Sequence, residues 1–425
     1  MSSGNPPGDF PFFDLSGLLG GLGGRDPWQQ AAELAAAIAS DRGSEPNLDP
    51  VKRMQIEDLA RVAELQVGQA VGVTLPAGTK PTAVTRGHWA RRSVEAYRPF
   101  FERFGEALST GMGQVGPATG TDLEAAMTGG DLNDLTGQMM GQMFATLGPL
   151  LVSTSAGTLL GHLGQQALGQ YDLPIPRGTD GGSGSAGSEI LVVPSSIDDA
   201  AAEWGVPVDE LRLWVLLHEL TVHAVISVPH VGARLEALLV DFASAFRPNE
   251  ELIAERFGSI TDLSQLQELS ESLSDPDVVL SLLRTPAHDL LVPQLDAMVA
   301  TVLGYVDHTV ATLADGLIGS HETIRSRFRQ RWIDVAPADR FMERLLGLEI
   351  DGHTLERGDR FIRGLVERAG DEGLERLWGD ELDLPTAAEV DAPGLWLARI
   401  GHDGNELGDG AFDVPDDLSG LDDTE

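Results

Sequence analysis

The sequence contains no cysteine in its 425 residues, and lysine occurs only at Lys52 and Lys80. The absence of cysteine excludes disulfide bonds, thiolate zinc sites and cysteine nucleophiles. Lysine and arginine together number 29 against 66 acidic residues, so the formal net charge is −37. A surface this acidic argues against nucleic acid as a partner, because phosphates need basic side chains, and against anionic membranes. The remaining partner class is an unidentified peptide or protein.

The chain also lacks several recognisable signals. No basic segment followed by an apolar stretch and a small-residue cleavage site stands near its start, so the sequence predicts no secretory signal and a cytoplasmic location. There is no Gly-x-x-x-x-Gly-Lys loop and no Gly-x-Ser-x-Gly elbow, so nucleotide and serine hydrolysis have no motif support. The longest uncharged run, residues 135–171, contains Pro149 and several glutamines. It is too polar for a membrane span and predicts closely packed core helices.

Composition divides the chain into five stretches. The first is a Gly/Pro-rich N-terminus predicted to be disordered, and the last is a solvated acidic tail with nine acidic residues and no basic one between residues 403 and 425. A Gly/Ser-rich segment in the middle predicts a flexible loop between two folded regions. The five stretches are residues 1–25, 26–173, 174–188, 189–400 and 401–425.

Apolar residues recur at helical spacing through most of the two folded regions. The short β-branched run at residues 190–193 is the main strand signal. The sequence therefore predicts a mainly α fold with at most a small β-sheet beside the helix at residues 209–227. The other predicted helices cover residues 49–70, 89–108, 248–273, 292–317, 338–348 and 359–369.

The most informative segment is Leu216–His223, which reads Leu-Leu-His-Glu-Leu-Thr-Val-His. A zincin helix needs His-Glu-x-x-His, because two histidines four residues apart project from one helical face onto one metal ion. His218 and Glu219 match this pattern, but Val222 stands at the second histidine position. His223 comes one residue late and points roughly 140° away from His218 on a regular helix.

Several further segments, in the same order along the chain, resemble the zincin-like metallopeptidase family of Actinobacteria. Members are labelled zinc-dependent metalloprotease, hydrolase or deazaflavin-coenzyme-biosynthesis-associated protein. The resemblance extends from about Trp28 to Arg399 and implies a zincin-like helical fold with the small sheet beside the motif helix. The matching segments are residues 170–174, 209–215, 217–219, 228–231, 325–328, 344–349, 360–362 and 384–386.

The resemblance implies a role for each matched position. His218 matches the family's first zinc ligand and Glu219 its general base, whereas Val222 replaces the second ligand. The family's third ligand is a glutamate in a segment like Leu-Leu-Glu-Gly-Tyr-Ala-Asp-His-Val, and the corresponding segment here is Thr301–Thr309. Leu303 occupies the glutamate position, so aliphatic residues replace two of the three ligands.

Two functional hypotheses follow. One is a non-catalytic, zincin-like protein that acts through binding or as a scaffold. The other is an active zinc-dependent peptidase with an irregular ligand set drawn from His218, His223 and Asp307, in which Glu219 takes a proton from zinc-bound water. A π-bulge that swings His223 towards His218, or a displaced site in which Glu219 itself is a ligand with His223 and Asp307, would make zinc binding possible.

Overall fold

The computed structural model describes residues 26–112, 150–177, 189–247, 280–334 and 344–401, except residues 42, 44, 151, 173, 282 and 349. The predicted disordered N-terminus, residues 178–188 of the predicted flexible loop and residues 402–425 of the acidic tail lie outside these residues. So do the predicted helix at residues 248–273 and about half of that at 338–348.

The described chain is mainly helical, as the sequence predicted. The helices are α1 (Pro27–Ala39), α2 (Pro50–Val67), α3 (Arg86–Met112), α4 (152–166), α5 (Pro194–Trp204), α6 (Val208–Ile226), α7 (Pro229–Ser244), α8 (Pro286–Ala314), α9 (His321–Ile333), α10 (Gly352–Leu377), α11 (Ala387–Asp391) and α12 (Pro393–Arg399). A 3₁₀ turn covers Glu381–Asp383.

Helix α6 lies at the centre of the fold and carries the His-Glu pair. It packs against α2, α5, α7, α8 and α9, and it also contacts the small sheet. Every residue from Leu211 to Ile226 is buried, which is why the apolar residues of this helix surround it rather than form one stripe. Pro229 begins α7 after a sharp bend of 84°. The prediction of a buried helix at residues 209–227 is confirmed.

The two-stranded sheet is parallel and lies beside α6. Strand β1 (Lys80–Ala83) pairs with β2 (Glu189–Val192), with Lys80 opposite Glu189 and Ala83 opposite Val192. The β-branched run at residues 190–193 predicted β2 correctly. The Lys-Pro-Thr-Ala sequence of β1 has no such run, so its strand conformation depends on pairing with β2 rather than on local propensity.

Close helix contacts depend on glycine. A Cβ atom on Gly157 of α4 would lie 2.7 Å from the carbonyl oxygen of Ala31 in α1. A Cβ atom on Gly358 of α10 would lie 2.0 Å from the carbonyl oxygen of Ala300 in α8. The first contact confirms close helix packing for the described part of the uncharged run.

Helix α8 is long and apolar enough to cross a membrane by composition alone. In the fold, 61% of its most apolar window is buried against the rest of the protein. It packs against α6, α7, α9, α10 and α11. Its apolar character is therefore explained by its place in the core.

Candidate functional site

Helix α6 holds His218 and Glu219 on a regular α-helical backbone. The segment is α-helical from Val208 to Ile226, with no π turn that would bring His223 round to the face of His218. The His218 ring packs against Phe328 of α9, with 4.7 Å between ring centroids. Its Nδ1 lies 3.3 Å from the Glu219 carboxylate. The motif pair is therefore enclosed between α6 and its neighbours.

The Glu219 carboxylate is engaged by the backbone of a neighbouring segment. Glu219 is 1% exposed, and its Oε2 accepts a hydrogen bond of 2.7 Å from the backbone N–H of Tyr171. The backbone of Gly169 approaches so closely that a Cβ atom there would lie 2.2 Å from the Glu219 Cδ. Only glycine allows this approach, so Glu219 anchors residues 169–171 on α6.

The same segment is held from its other side by α3. The Trp89 indole donates a hydrogen bond of 2.7 Å to the carbonyl oxygen of Gly169, and the Tyr97 hydroxyl donates one of 3.0 Å to that of Gln170. Both aromatic rings are buried. Buried backbone groups need such partners, because an unpaired one costs about as much as a lost hydrogen bond. Residues 169–171 thus form a bridge between α3 and the Glu219 carboxylate.

His223 belongs to a different cluster from His218. Its Nδ1 lies 2.7 Å from the Tyr171 hydroxyl and 3.0 Å from the Arg177 guanidinium. Arg177 also donates to the Tyr171 hydroxyl at 2.8 Å and to the Glu189 carbonyl oxygen at 2.6 Å. A guanidinium can only donate, so Nδ1 of His223 is an acceptor and the neutral ring carries its proton on Nε2. Neither ring nitrogen then offers a free lone pair to a metal ion.

The surroundings of His223 favour its neutral form. Burial, together with a smaller contribution from the positive charge of Arg177, lowers the pKa of His223 to about 3. Burial likewise raises the pKa of the Tyr171 hydroxyl, so this group stays protonated. The Nε2 atom of His223 is buried without a hydrogen-bond partner in the described structure. The Tyr171–His223–Arg177 cluster is therefore a neutral hydroxyl and a neutral imidazole beside one cation.

A second buried arginine lies close to the motif pair. Arg331 of α9 forms a bidentate ion pair with Asp172, in which both N–O distances are 2.8 Å. It also donates a hydrogen bond to the Gln166 carbonyl oxygen. The Glu219 carboxylate interacts electrostatically with both Arg331 and Arg177. Arg177 and Arg331 thus place positive charge near the buried Glu219 carboxylate.

The residues proposed as irregular zinc ligands are not brought together. The Asp307 carboxylate accepts hydrogen bonds from Nε and Nη2 of Arg325, at 3.1 and 2.6 Å, and from Nη1 of Arg329 at 3.4 Å. Val222 and Leu303 are both buried aliphatic residues. Within the described ranges, no three histidine, aspartate or glutamate side chains converge closely enough to hold a metal ion.

The sequence analysis did not identify four residues of this cluster. Tyr171 and Asp172 lie in the Gln-Tyr-Asp-Leu-Pro segment that carries the family resemblance, but nothing in that segment indicated a buried contact with Glu219. Arg177 lies inside the segment at residues 174–188 that predicted a flexible loop, yet it is buried. Arg331 follows three other arginines at alternate positions, a run of charges that ordinarily indicates a solvated surface.

The low pKa of His223 makes stability depend on pH. The unfolded chain protonates this residue near pH 6.5, whereas the folded chain keeps it neutral until about pH 3. Its contribution is therefore complete above pH 6.5 and is lost as the pH falls from 6.5 towards 3. Relative to His223→Gln, which keeps an acceptor but does not titrate, the wild type should lose about 2 kcal/mol of unfolding free energy between pH 7 and 5.

Urea denaturation of both proteins at the two pH values measures this difference. Contributions from carboxylates cancel in the comparison, because the two proteins share them. Equal losses for both proteins would mean that His223 titrates normally in the folded state.

Comparisons with known proteins agree with this fold. The family model described as zincin-like metallopeptidase matches residues 27–397. A crystal structure from Chloroflexus aurantiacus, named "putative hydrolase with a novel fold", is similar over 89% of this chain and 99% of its own. The TM-score is 0.56 and the sequence identity 20%, so this likeness concerns the fold alone. A comparison with curated protein sequences gives no match.

Proposed function

Because the chain belongs to the zincin-like metallopeptidase family, we propose that it is a member with an abandoned zinc site that acts by binding rather than by catalysis. Two of the three ligand positions implied by the family resemblance carry Val222 and Leu303. Aliphatic side chains have no lone pair to offer, and a catalytic zinc ion normally has three protein ligands.

The observation that carries this proposal is the state of Glu219. A general base must reach the proton that it abstracts, directly or through one water molecule. The Glu219 carboxylate instead accepts the Tyr171 N–H and packs against the backbone of Gly169. These contacts support a structural role, in which a residue at the family's catalytic position fastens a neighbouring segment to the core.

The alternative of an active zinc peptidase with irregular ligands has less support. It needs His218 and His223 on one ion, but they lie in separate clusters on a regular helix. It also needs a lone pair on His223, whose Nδ1 accepts from Arg177. Finally, Asp307 would have to leave its ion pairs with Arg325 and Arg329. The residues present do not fit zinc as a resident cofactor.

Restoring the family's ligands tests the proposal. The double variant Val222→His, Leu303→Glu should bind zinc on the order of a hundredfold or more tightly than the wild type, since losing even one partner of a ligand costs 10–100-fold in affinity. The two substituted positions lie on helices α6 and α8, which pack against each other. Isothermal titration with zinc, together with the zinc-dependent shift in melting temperature, measures the gain.

The single variant Val222→His is the matched control, because it supplies one new ligand without the other. It should fall between the wild type and the double variant. The proposal predicts no zinc-dependent peptide cleavage by the wild type. Cleavage by the wild type that disappears in Glu219→Gln would contradict it and support the active peptidase.

A further inference from the structure

A groove of about 1000 Å³ runs along the free edge of strand β1. Its walls come from the C-terminal end of α1, the loop before α2, the first turns of α2 and the start of α3. The residues used below are Glu45, Arg53, Lys80, Pro81, Ala83 and Arg91, all of which line the groove.

The floor of the groove offers unpaired backbone groups. The Val84 N–H donates to the Val192 carbonyl oxygen at 2.9 Å, which fixes the alternation of β1. Along a strand, successive residues direct their N–H and C=O groups to opposite edges. Because Val84 faces β2, the N–H and C=O of Ala83 and the C=O of Pro81 face the groove. Ala83 is only 6% exposed, and none of these three groups has a hydrogen-bond partner among the described residues. Unpaired backbone N–H and C=O groups along a strand edge can form hydrogen bonds with an added strand.

The walls carry cations without acidic partners. Arg53, Lys80 and Arg91 form no ion pair within the described part of the chain, whereas the nearby Lys52 and Arg86 pair with Asp198 and Asp199. Three unpaired cations in one groove are notable in a chain with 66 acidic and 29 basic residues.

The two carboxylates in the groove do not cancel these charges. Glu45 accepts the backbone N–H groups of Arg86 and Gly87 at 2.7 and 2.9 Å, so it is engaged at the N-terminus of α3. Glu57 makes no ion pair with Arg53 or any other described residue, and it sits at the rim as an exposed side chain. The groove therefore keeps a local excess of positive charge.

The groove is separate from the Glu219 cluster. The Val193 N–H, just beyond β2, donates to the Leu168 carbonyl oxygen at 3.0 Å, and Arg177 donates to the Glu189 carbonyl oxygen. These contacts cover the edge of the sheet that faces Glu219. The edge of β1 that remains open thus lies on the opposite side of the sheet.

We propose that this groove binds an extended, acidic peptide segment of a partner protein, which adds as a strand to the free edge of β1 while its carboxylates contact Arg53, Lys80 and Arg91. Strand addition uses backbone hydrogen bonds for affinity, and the wall residues supply selectivity. The acidic remainder of the surface repels such a segment, which favours the groove over other positions.

A labelled peptide of the sequence Thr-Glu-Val-Asp-Val-Glu-Thr is the probe, and Thr-Gln-Val-Asn-Val-Gln-Thr is its uncharged counterpart. Fluorescence anisotropy with the full chain should show saturable binding of the acidic peptide and at least severalfold weaker binding of the uncharged one. Hydrogen–deuterium exchange of the Ala83 N–H should slow when the acidic peptide is present, because this group gains an acceptor.

Charge reversal at the walls tests the ionic contribution. Arg53→Glu with Arg91→Glu should weaken binding on the order of tenfold, as expected when two exposed ion pairs become repulsive contacts. Arg61→Glu is the matched control, since Arg61 lies on the same helix as Arg53 but outside the groove and is 75% exposed at its side chain. It should leave binding nearly unchanged, and circular dichroism confirms that each variant is folded.

Three results would overturn the inference. The first is that the acidic peptide shows no saturable binding. The second is that the acidic and uncharged peptides bind equally well, or that the charge-reversed double variant binds the acidic peptide as well as Arg61→Glu does. The third is slow exchange of the Ala83 N–H without peptide, because another part of the chain would then cover the edge. The inference does not depend on the zinc chemistry, so zinc found in the wild type would contradict the proposed function and leave the groove untouched.

Discussion

Replacing Glu219 by alanine is expected to lower the free energy of unfolding by about 2–3 kcal/mol, because it removes a buried carboxylate and leaves the backbone donor bonded to it unsatisfied. The substitution leaves the Tyr171 N–H without its acceptor and removes a negative charge that stabilises the Arg177 and Arg331 cations. Guanidinium denaturation at pH 7, followed by circular dichroism, measures the loss.

Two control variants separate the contributions. Glu219→Gln keeps an oxygen that accepts from Tyr171 but removes the charge, so its loss should be smaller than that of the alanine variant. Glu203→Ala removes an exposed carboxylate on α5 and should change stability by no more than about 0.5 kcal/mol.

The sign of the Glu219 effect distinguishes the two functional hypotheses. Catalytic residues are commonly held in arrangements that oppose stability, so replacing one often leaves a protein equally or more stable. A structural anchor behaves in the opposite way. An unchanged or raised free energy of unfolding in Glu219→Ala would therefore contradict the structural role and favour a catalytic one.

Replacing Gly358 by alanine is expected to destabilise the fold by about 3 kcal/mol, at the upper end of the usual range for overpacking a core. The added Cβ would meet the Ala300 carbonyl oxygen at 2.0 Å and the Gly304 Cα at 3.1 Å. Both are backbone atoms that no side-chain rotation can move, so α8 and α10 must separate. The melting temperature and the denaturant midpoint measure the effect.

Gly394→Ala is the matched control for this prediction. Gly394 is also a helical glycine, but a Cβ there would meet no atom within 4 Å. Alanine is the better helix former by about 1 kcal/mol, so this variant should be neutral or slightly more stable. Equal effects of the two substitutions would show that α8 and α10 do not pack as closely as described.

Most of the fold was predictable from the sequence, because long periodic segments report burial directly. The periodicity of residues 49–70 and 292–317 predicted α2 and α8 with ends shifted by a few residues. Pro50 and Pro286 begin these helices, as expected for proline in the first turn. Strand β1 was not predicted, since its conformation depends on a partner more than 100 residues away.

The candidate site was predictable only in part. The His-Glu pair and the replacement at Val222 are visible in the sequence because they sit at fixed spacing on one helix. The contacts of Glu219 with Tyr171 and of His223 with Arg177 are not, because they join α6 to a segment almost 50 residues earlier. Spacing along one helix cannot report a contact made by a separate, irregular segment.

The zinc content of the purified full-length wild type is the most direct test of the central claim that the His218–Glu219 pair is structural. The protein would be saturated with zinc, dialysed against metal-free buffer and measured by elemental analysis. We expect far less than one zinc ion per chain, because Val222 and Leu303 supply no ligand and His223 is engaged by Arg177. One tightly held zinc ion per chain, lost in His218→Ala, would contradict the claim.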